Sequence, residues 1–218
     1  MIDKAQFKFW NQEHNFRDAA HPVVRHFAKQ RIDFINSYIP LQQVRTYLDI
    51  GSGNGVSLSY LPENIMTYAL DYSRHYLRKN RCPNKIISDA STLPFKDGSF
   101  DVVCCWEVLH HIPDFFPAIL EMKRVSLKYV YVFEPNLHNP VQFVFSFLSR
   151  EHRMVYTNRY TLSNMKKHFS NAGLRISIAR TVGWVFPNKT PSRLMPLFRK
   201  MPFTAPFAIS NFILAEKI

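Results

Sequence analysis

Residues 46–56 read TYLDIGSGNGV and contain the feature that decides the fold. An apolar run typical of a buried strand carries Asp49 near its end. Three glycines follow at every second position: Gly51, Gly53 and Gly55. Glycine allows turn conformations that other residues avoid, and it lets a ligand approach the main chain. A strand that ends in such a turn, with a helix behind it, presents free backbone N–H groups. The stretch therefore predicts a nucleotide-like ligand above this strand.

The spacing of the glycines narrows the choice of ligand. A dinucleotide-binding turn has the pattern G-x-G-x-x-G and a P-loop has G-x-x-x-x-G-K-[ST], whereas this chain has G-S-G-N-G. Asp49, two positions before the first glycine, would repel a pyrophosphate but suits a ligand with a positive end. S-adenosylmethionine, which carries an ammonium and a sulfonium, fits that requirement.

Short apolar runs recur along the rest of the chain and indicate further strands. The gaps between the first five runs mostly suit crossover helices, so these strands are expected to be parallel and covered on both faces. The last two runs alternate more strongly between apolar and polar residues, which indicates a closing antiparallel pair. The seven predicted strands cover residues 46–50, 66–71, 85–89, 101–106, 129–134, 174–186 and 208–217.

Three landmarks occur in the order of a known family. They are LDIGSGNG (48–55), ALDYS (69–73) and SDASTLPFKDGSFDVVCCWEVLHHI (88–112). With them the chain resembles the class I S-adenosylmethionine-dependent methyltransferases, of the small group typified by ubiquinone, menaquinone and sterol methyltransferase domains. The resemblance implies a doubly wound, Rossmann-like α/β fold with seven strands, mostly parallel, and with the last strand antiparallel. It also implies S-adenosylmethionine as the cofactor and no metal site.

Two carboxylates are predicted to bind the nucleoside part of the cofactor. Asp71 lies at the tip of the second strand, where a carboxylate can accept hydrogen bonds from both ribose hydroxyls. By resemblance, Asp89 receives the adenine amino group and the backbone N–H of Ala90 meets a ring nitrogen. Helix capping is the alternative role for both aspartates.

Flat apolar side chains are expected beside the adenine. Tyr72 and Leu93 could enclose it on both faces, although either could instead belong to the core. The complete set predicted to bind the cofactor is Asp49, Gly51, Ser52, Gly53, Gly55, Asp71, Tyr72, Asp89, Ala90 and Trp106.

Candidate catalytic residues follow the fourth and fifth strands. His110 and His111 lie just past the fourth strand, and Glu134 and His138 lie at or past the end of the fifth. Methyl transfer needs a general base only if the acceptor must lose a proton early. Packing or hydrogen bonding is the alternative role for the histidines, and a cap is the alternative for Glu134.

The chain is expected to form one methyltransferase domain, residues 43–218, preceded by a helical cap over residues 1–42. Aromatic and basic residues of the cap are candidates to close over the ligand: Phe7, Trp10, Phe16, Arg17 and His21. By resemblance, the two segments 137–173 and 186–207 lie where the family builds its substrate lid. The second of these mixes basic with apolar side chains, which suggests an amphipathic acceptor or a lipid surface.

Net charge is concentrated in the last third of the chain. Residues 1–136 carry 16 Lys and Arg against 14 Asp and Glu, whereas residues 137–218 carry 12 against 2. Such an asymmetry points to an anionic membrane, a nucleic acid or a phosphorylated substrate, or only to a solvated surface. Three unpaired cysteines and the lack of a leader or membrane span predict a cytoplasmic protein, with peripheral membrane contact as an option.

Three functions are consistent with these features. The first is methylation of a small or lipid-associated acceptor, such as a quinone precursor or a lipid-linked sugar. The second is RNA methylation, in which the basic last third would bind the nucleic acid. The third is a binding protein that keeps the cofactor site without turnover. The intact cofactor motifs favour an enzyme.

Overall fold

One sheet of seven strands forms the centre of the structure, a computed structural model that describes residues 4–14, 16–148 and 161–218. The strands are β1 (Thr46–Ile50), β2 (Met66–Asp71), β3 (Asn84–Ile87), β4 (Phe100–Trp106), β5 (Ser126–Pro135), β6 (Leu174–Val182) and β7 (Ser210–Lys217). Their order across the sheet is β3-β2-β1-β4-β5-β7-β6.

The first five strands are parallel and the last is antiparallel to both of its neighbours. β1 pairs with β2 and β4, β3 pairs with β2, and β5 pairs with β4, all in parallel. β7 runs antiparallel between β5 and β6. The predicted doubly wound, mostly parallel sheet with an antiparallel last strand is therefore confirmed.

The point where the strand order reverses positions the site. From β1 the chain proceeds outward through β2 and β3 on one side, then returns to β4 on the other. Connections that leave in opposite directions open a crevice at the carboxyl ends of the two central strands. Asp49 of β1 is aligned with Cys104 of β4, so both strands deliver their ends to the same place.

Helices pack on both faces of the sheet and bury apolar side chains there. On one face, the helices around Ile119 and Phe169 cover the core; on the other, the helix around Ile35 does so. The described helices are α1 (Lys4–Trp10), α2 (Pro22–Asn36), α3 (Arg74–Lys79), α4 (Phe116–Val125), α5 (Pro140–Leu148), α6 (Leu162–Asn171) and α7 (Met195–Phe198). Short 3-10 helices cover Leu41–Gln43, Leu109–His111 and Ser192–Leu194. Within these ranges no helix has the length and apolarity to cross a bilayer.

The helix expected directly behind the glycine turn is absent. Residues 51–65, all of them described, form a series of turns, with Gly55 N–H donating to Ser52 O (2.8 Å) and Ser59 N–H donating to Gly55 O (3.1 Å). Positive φ angles at the glycines, serine residues that compete for backbone hydrogen bonds, and Pro62 all oppose a regular helix here. The prediction of a helix N-terminus behind the turn is therefore wrong. The predicted glycine turn itself is present.

The helix α2 has a strongly apolar buried face with one exception. Pro22 occupies its first turn, and His21 caps it by accepting a hydrogen bond from Val23 N–H (3.3 Å). Residues three or four positions apart face the sheet, and the buried set is Val23, Val24, Phe27, Ala28, Arg31, Ile32 and Ile35. Arg31 is the only charged member of this buried set.

Candidate active site

A cavity of about 390 Å³ lies at the carboxyl ends of β1, β2 and β4. Its walls come from the N-terminal region, the glycine turn, the loops after β2, β3 and β4, and the segment after β6. Ten of the predicted site residues line it: Asp49, Gly51, Ser52, Gly53, Asp71, Tyr72, Asp89, Ala90, Trp106 and His111. Five of the predicted binding and catalytic residues do not: Gly55, Leu93, His110, Glu134 and His138.

The three glycines of the turn are needed for different structural reasons. All have positive φ angles, 68° at Gly51, 51° at Gly53 and 83° at Gly55. A Cβ atom added at Gly51 would lie 2.4 Å from Val108 Cγ2, and one at Gly55 would lie 2.5 Å from Asn80 Oδ1. At Gly53 an added Cβ would meet nothing within 4 Å. At Gly51 and Gly55 a side chain would collide with Val108 and Asn80, so glycine is required by packing within the protein. At Gly53 the absence of a side chain leaves open space at the cavity wall.

Asp49 is a buried carboxylic acid on the cavity wall. Its carboxyl accepts hydrogen bonds from Ser57 Oγ and from Cys104 Sγ, the latter at 3.3 Å. Burial raises the pKa of Asp49 to about 7, and the hydrogen bonds from Ser57 and Cys104 partly oppose that rise. A cationic ligand beside it would stabilise the charged form.

Asp71 binds the glycine turn and does not cap a helix. Its Oδ2 accepts a hydrogen bond from Gly53 N–H (2.9 Å) and its Oδ1 accepts one from Ser73 N–H (2.8 Å). Burial raises the pKa of Asp71, and these backbone hydrogen bonds act against the rise. Ser73 is the cap of α3, because its Oγ accepts from Tyr76 N–H (3.3 Å). The capping alternative for Asp71 is therefore wrong.

Asp89 and its neighbours form the wall beyond β3. Its Oδ1 accepts hydrogen bonds from Ser91 N–H (2.9 Å) and Ser91 Oγ (2.7 Å), which fold the loop into a turn. Tyr72 lines the cavity as expected. Leu93 does not: it is buried in the main hydrophobic core, so its predicted place against the adenine is wrong.

The end of β4 carries a strained residue, Glu107, which lines the cavity. Its φ angle of 58° is unusual for a residue with a side chain, and its N–H donates to Phe133 O (2.7 Å). Glu107 Oε1 accepts hydrogen bonds from Arg31 Nη2 (2.7 Å) and Ser210 Oγ (2.8 Å). The neighbouring Trp106 lines the cavity and donates from Nε1 to the Tyr131 hydroxyl (3.2 Å).

Arg31 is the site residue that sequence reasoning missed. It comes from α2, far from the quoted motifs, yet it lines the cavity with only 1% of its side chain exposed. A signal was present, because Arg31 lies four residues after Phe27 and four before Ile35 on the apolar face of a helical pattern. A charged residue at such a position indicates a paired or functional group.

Glu134 and His110 lie behind the cavity wall and not on it. Glu134 is fully buried; its Oε1 accepts from Val108 N–H (2.9 Å) and Leu109 N–H (2.7 Å), and its Oε2 accepts from His110 N–H (3.2 Å). His110 Nδ1 is 2.7 Å from the same Oε2. Burial raises the pKa of Glu134 to about 7.

These positions correct the predicted catalytic set. Glu134 and His110 hold the loop after β4 in place, and neither lines the cavity where an acceptor could sit. His138 is also outside the lining. His111 remains on the wall, with its ring 4.9 Å from that of Trp10. Of the predicted bases, only His111 has access to the cavity.

The N-terminal region and the segment after β6 cover the cavity together. Trp10, Phe16 and Arg17 line it, whereas Phe7 and His21 do not. Arg17 N–H donates to Asn188 Oδ1 (3.0 Å), and its Nη1 donates to Thr190 O (2.7 Å) and Pro187 O (3.1 Å). Of the other predicted lid segment, residues 149–160 lie outside the described residues.

The fold and the site together define an α/β nucleotide-binding protein with a glycine turn and carboxylates at adjoining strand ends. Residues 48–129 match a family described as methyltransferase domain. The chain is 34% identical over 107 residues to demethylmenaquinone methyltransferase from Corynebacterium glutamicum, covering 48% of this chain and 44% of that protein. It is 28% identical over 127 residues to 27-O-demethylrifamycin SV methyltransferase from Amycolatopsis mediterranei, covering 53% and 47%. The chain thus spans about half the length of these relatives.

A solved structure shares the fold over most of the chain. An S-adenosylmethionine-dependent methyltransferase from Thermotoga maritima superposes with a TM-score of 0.70 at 15% identity, covering 90% of this chain and 91% of that one. The match over residues 48–129 identifies a methyltransferase domain there, and the chain shares the fold of the Thermotoga protein, whose cofactor is S-adenosylmethionine.

Proposed function

We propose that this protein transfers a methyl group from S-adenosylmethionine to a ring-bearing, apolar or lipid-associated acceptor. The observation that carries the proposal is a single cavity with two unlike ends. Asp49, Asp71 and Asp89 line it with the glycine turn at one end, and Phe27 and Trp106 line it beside Arg31 at the other. A nucleoside with a cationic tail suits the first end, and a flat apolar molecule suits the second.

The residues at the glycine turn fit the cofactor. Gly53 leaves open space where a side chain would stand, and the buried Asp49 carboxyl complements a cationic tail. We assign the ribose hydroxyls to Asp71, whose carboxylate lines the cavity beside the glycine turn. Asp89 hydrogen-bonds within the described chain through Oδ1, which leaves Oδ2 for the adenine amino group. When bound, the cofactor supplies a methyl group on a sulfonium and leaves as S-adenosylhomocysteine.

The protein's part in the reaction is alignment and exclusion of water. A nucleophilic atom of the acceptor forms the new bond to the methyl carbon as the carbon–sulfur bond breaks, and the acceptor releases a proton. Positioning of this kind supplies several kcal/mol without a side-chain nucleophile. His111 is the one predicted base on the cavity wall, so we assign it the acceptance of that proton where the acceptor needs a base.

The aromatic end favours an acceptor with a ring. Phe27 and Trp106 supply flat apolar surface beside Arg31, and Val24 adds an aliphatic contact. Stacked or edge-on contacts with such side chains are worth roughly 0.5–1.5 kcal/mol beyond simple burial. The relatives named for demethylmenaquinone and 27-O-demethylrifamycin SV support this class of acceptor.

Surface features near the lid support contact with an anionic membrane. Apolar side chains are exposed on α5 and on the segment after β6: Val141, Phe143, Val144, Leu197 and Phe207. Asn139 Nδ2 donates to Phe207 O (2.6 Å) and joins the two segments. Arg193, Arg199 and Lys200 lie in the same segment as Leu197. Basic and apolar groups together are typical of a surface that binds lipid headgroups.

The transfer of labelled methyl groups tests the proposed function. The purified protein is incubated with methyl-labelled S-adenosylmethionine and fractionated cell extract, and label is counted in lipid, RNA and water-soluble pools. We expect label in the lipid pool and formation of S-adenosylhomocysteine. Label in RNA would replace the proposal with the RNA methyltransferase alternative, and cofactor binding without turnover in any pool would favour a binding protein.

Co-sedimentation with vesicles tests the membrane contact separately. Vesicles containing phosphatidylserine are compared with purely zwitterionic ones, using the wild type and the triple variant Arg193→Gln, Arg199→Gln and Lys200→Gln. Each basic residue near an anionic surface contributes about 1 kcal/mol. We expect the wild type to bind only the anionic vesicles and the variant to lose most of that binding. Equal binding by both proteins would contradict the proposed contact.

A further inference from the structure

Arg31 carries a hydrogen-bond donor that the protein does not use. Its side chain is 1% exposed, and its Nη1 has no partner among residues 4–14, 16–148 and 161–218. A buried charged group normally has its donors satisfied, since each unpaired one costs free energy. Arg31 lines the cavity, so a ligand can supply the missing acceptor.

The guanidinium of Arg31 is held rigidly. Its central carbon lies 4.0 Å from the ring centre of Phe27 and 4.4 Å from that of Phe133. Its Nη2 donates to Glu107 Oε1 (2.7 Å) and to Ser210 Oγ (2.6 Å), and Ser210 in turn donates to Glu107. The free donor therefore has a fixed place, which is what recognition of one particular atom requires.

The chemistry around Arg31 selects the kind of group it would bind. Arg31 donates hydrogen bonds and cannot accept them, so the ligand atom must be an acceptor. Glu107 already balances the positive charge of Arg31, so a full carboxylate would add an uncompensated negative charge to a partly buried site. A carbonyl oxygen, or a phenol oxygen that gains negative charge during the reaction, meets both requirements.

We infer that Arg31 Nη1 donates a hydrogen bond to a carbonyl or phenolic oxygen on the ring of the acceptor and so determines which molecules are methylated. The inference rests on the proposed methyl transfer and names the acceptor class more closely: an oxygenated aromatic or quinone-like ring. The ring of the acceptor packs against the aromatic side chains, and its oxygen accepts the hydrogen bond from Arg31.

Two probes of nearly equal shape test the inference. They are 2-acetylnaphthalene and 2-isopropenylnaphthalene, in which a methylene group replaces the carbonyl oxygen. Binding of each is measured to the protein saturated with S-adenosylhomocysteine, in the wild type and in Arg31→Met. The ratio of the two affinities cancels the contribution of the rings. We expect Arg31→Met to lower the preference for the ketone about tenfold, the usual effect of losing a hydrogen bond from a charged donor.

Matched variants control for indirect effects. Arg25→Met removes a second arginine of α2, an exposed one outside the cavity lining, and should leave the ratio unchanged. If Arg31→Met alone does not fold, the double variant Arg31→Met with Glu107→Gln removes both charges and avoids leaving Glu107 unpaired. An unchanged ratio in the folded single or double variant would overturn the inference.

The wild type provides a test that needs no variant. The infrared carbonyl stretch of isotopically labelled 2-acetylnaphthalene should move to lower frequency in the protein than in an apolar solvent, as it does when a strong donor binds the oxygen. A stretch at the apolar-solvent frequency would also overturn the inference. Affinity for S-adenosylhomocysteine is measured first: if it is absent, the proposed function fails, whereas normal affinity with no ketone preference defeats only the role of Arg31.

Discussion

The two ends of the cavity differ in the chemical groups that line them. At the glycine turn, main-chain N–H groups and short carboxylates dominate, and they come from consecutive strand ends within residues 49–91. At the other end, the aromatic rings of Phe27 from α2 and Trp106 from the end of β4 lie beside the ion pair of Arg31 and Glu107. The first end can bind a small polar molecule whose shape does not vary. The second has a surface formed by side chains from separate parts of the chain.

The difference separates binding of the cofactor from choice of the acceptor. Backbone geometry at the glycine turn depends on packing that a substitution would disturb. The side chain of Arg31 lies outside that turn and is held by Glu107, Ser210 and the ring of Phe27. Substitutions at the two ends should therefore have separable effects, and the following experiments examine that separation from the largest expected effect to the smallest.

The largest effect is expected behind the cavity wall, at Glu134, which holds the loop after β4. Replacement of Glu134 by Leu leaves the N–H groups of Val108, Leu109 and His110 without their acceptor in a buried loop. We expect a loss of about 4 kcal/mol in the free energy of unfolding, measured by urea titration. Glu134→Gln keeps an acceptor oxygen and should lose much less. Equal stability of wild type and Glu134→Leu would show that the carboxylate does not hold the loop.

The glycine turn offers a matched pair of substitutions. Gly51→Ala places a Cβ 2.4 Å from Val108 in a backbone conformation that alanine avoids, so we expect it to reduce stability by roughly 3 kcal/mol. Gly53→Ala meets no neighbour within 4 Å and should cost only the conformational strain, about 1 kcal/mol. Thermal unfolding measures both. Similar losses for the two variants would mean that the packing of the turn is not as described.

Cofactor affinity should depend on Asp71 and not on Arg31. Asp71→Ala removes the carboxylate to which we assign the ribose hydroxyls, and we expect S-adenosylhomocysteine to bind about 30-fold more weakly, or about 2 kcal/mol, by calorimetry. Asp33→Ala, an exposed aspartate of α2, is the control. Arg31→Met should leave this affinity within about twofold while the ketone preference falls. If both variants weaken both ligands equally, the two ends of the cavity are not separable.

The smallest effect concerns pH and Asp49. Burial raises the pKa of this carboxyl to about 7, so the free protein takes up a proton near neutrality, and a sulfonium must displace it. Affinity for S-adenosylmethionine should therefore fall about tenfold between pH 8 and pH 6. S-adenosylhomocysteine, which lacks the sulfonium, should show a weaker dependence, and Asp49→Asn should show none. Equal pH profiles for the two ligands would exclude Asp49 as the partner of the positive charge.

Stability should respond to the same group with a definite sign. The pKa of Asp49 in the folded state lies above its ordinary value of 3.8, so the folded state holds a proton that the unfolded state releases. The contribution of Asp49 is then fully present below about pH 4 and is lost as the pH rises through about 7. Asp49→Asn should flatten this part of the stability curve, as urea titrations at pH 5 and pH 8 would show.

The sheet and the glycine end were largely predictable from the sequence, because their signals are local. A strand, a turn and an acidic residue lie within a dozen positions, and the order of such units limits the possible sheets. The failures there were also local: the turns of residues 51–65 replace an expected helix, since glycine and serine compete with helical hydrogen bonds. Leu93 was misplaced because an apolar residue near a site can equally belong to the core.

The end of the cavity around Arg31 and Trp106 could not be predicted to the same extent. Folding brings together Arg31, Glu107 and Ser210. Because 179 positions separate Arg31 from Ser210, no local sequence pattern shows this contact. Glu134 and His110 looked catalytic because they are titratable residues near strand ends, but sequence position does not show which side of a loop a carboxylate faces. Their burial follows from the three backbone amides that need an acceptor there.

The hydrogen bonds of Arg17 have a consequence for how this protein could diversify. These bonds join two segments that lie some 170 positions apart in the sequence, one around Arg17 and one around Asn188. Both segments line the cavity. An insertion or deletion in either one would leave the other without its support. A descendant with a new acceptor would therefore have to remodel both segments in concert, and related chains should show these two stretches changing together.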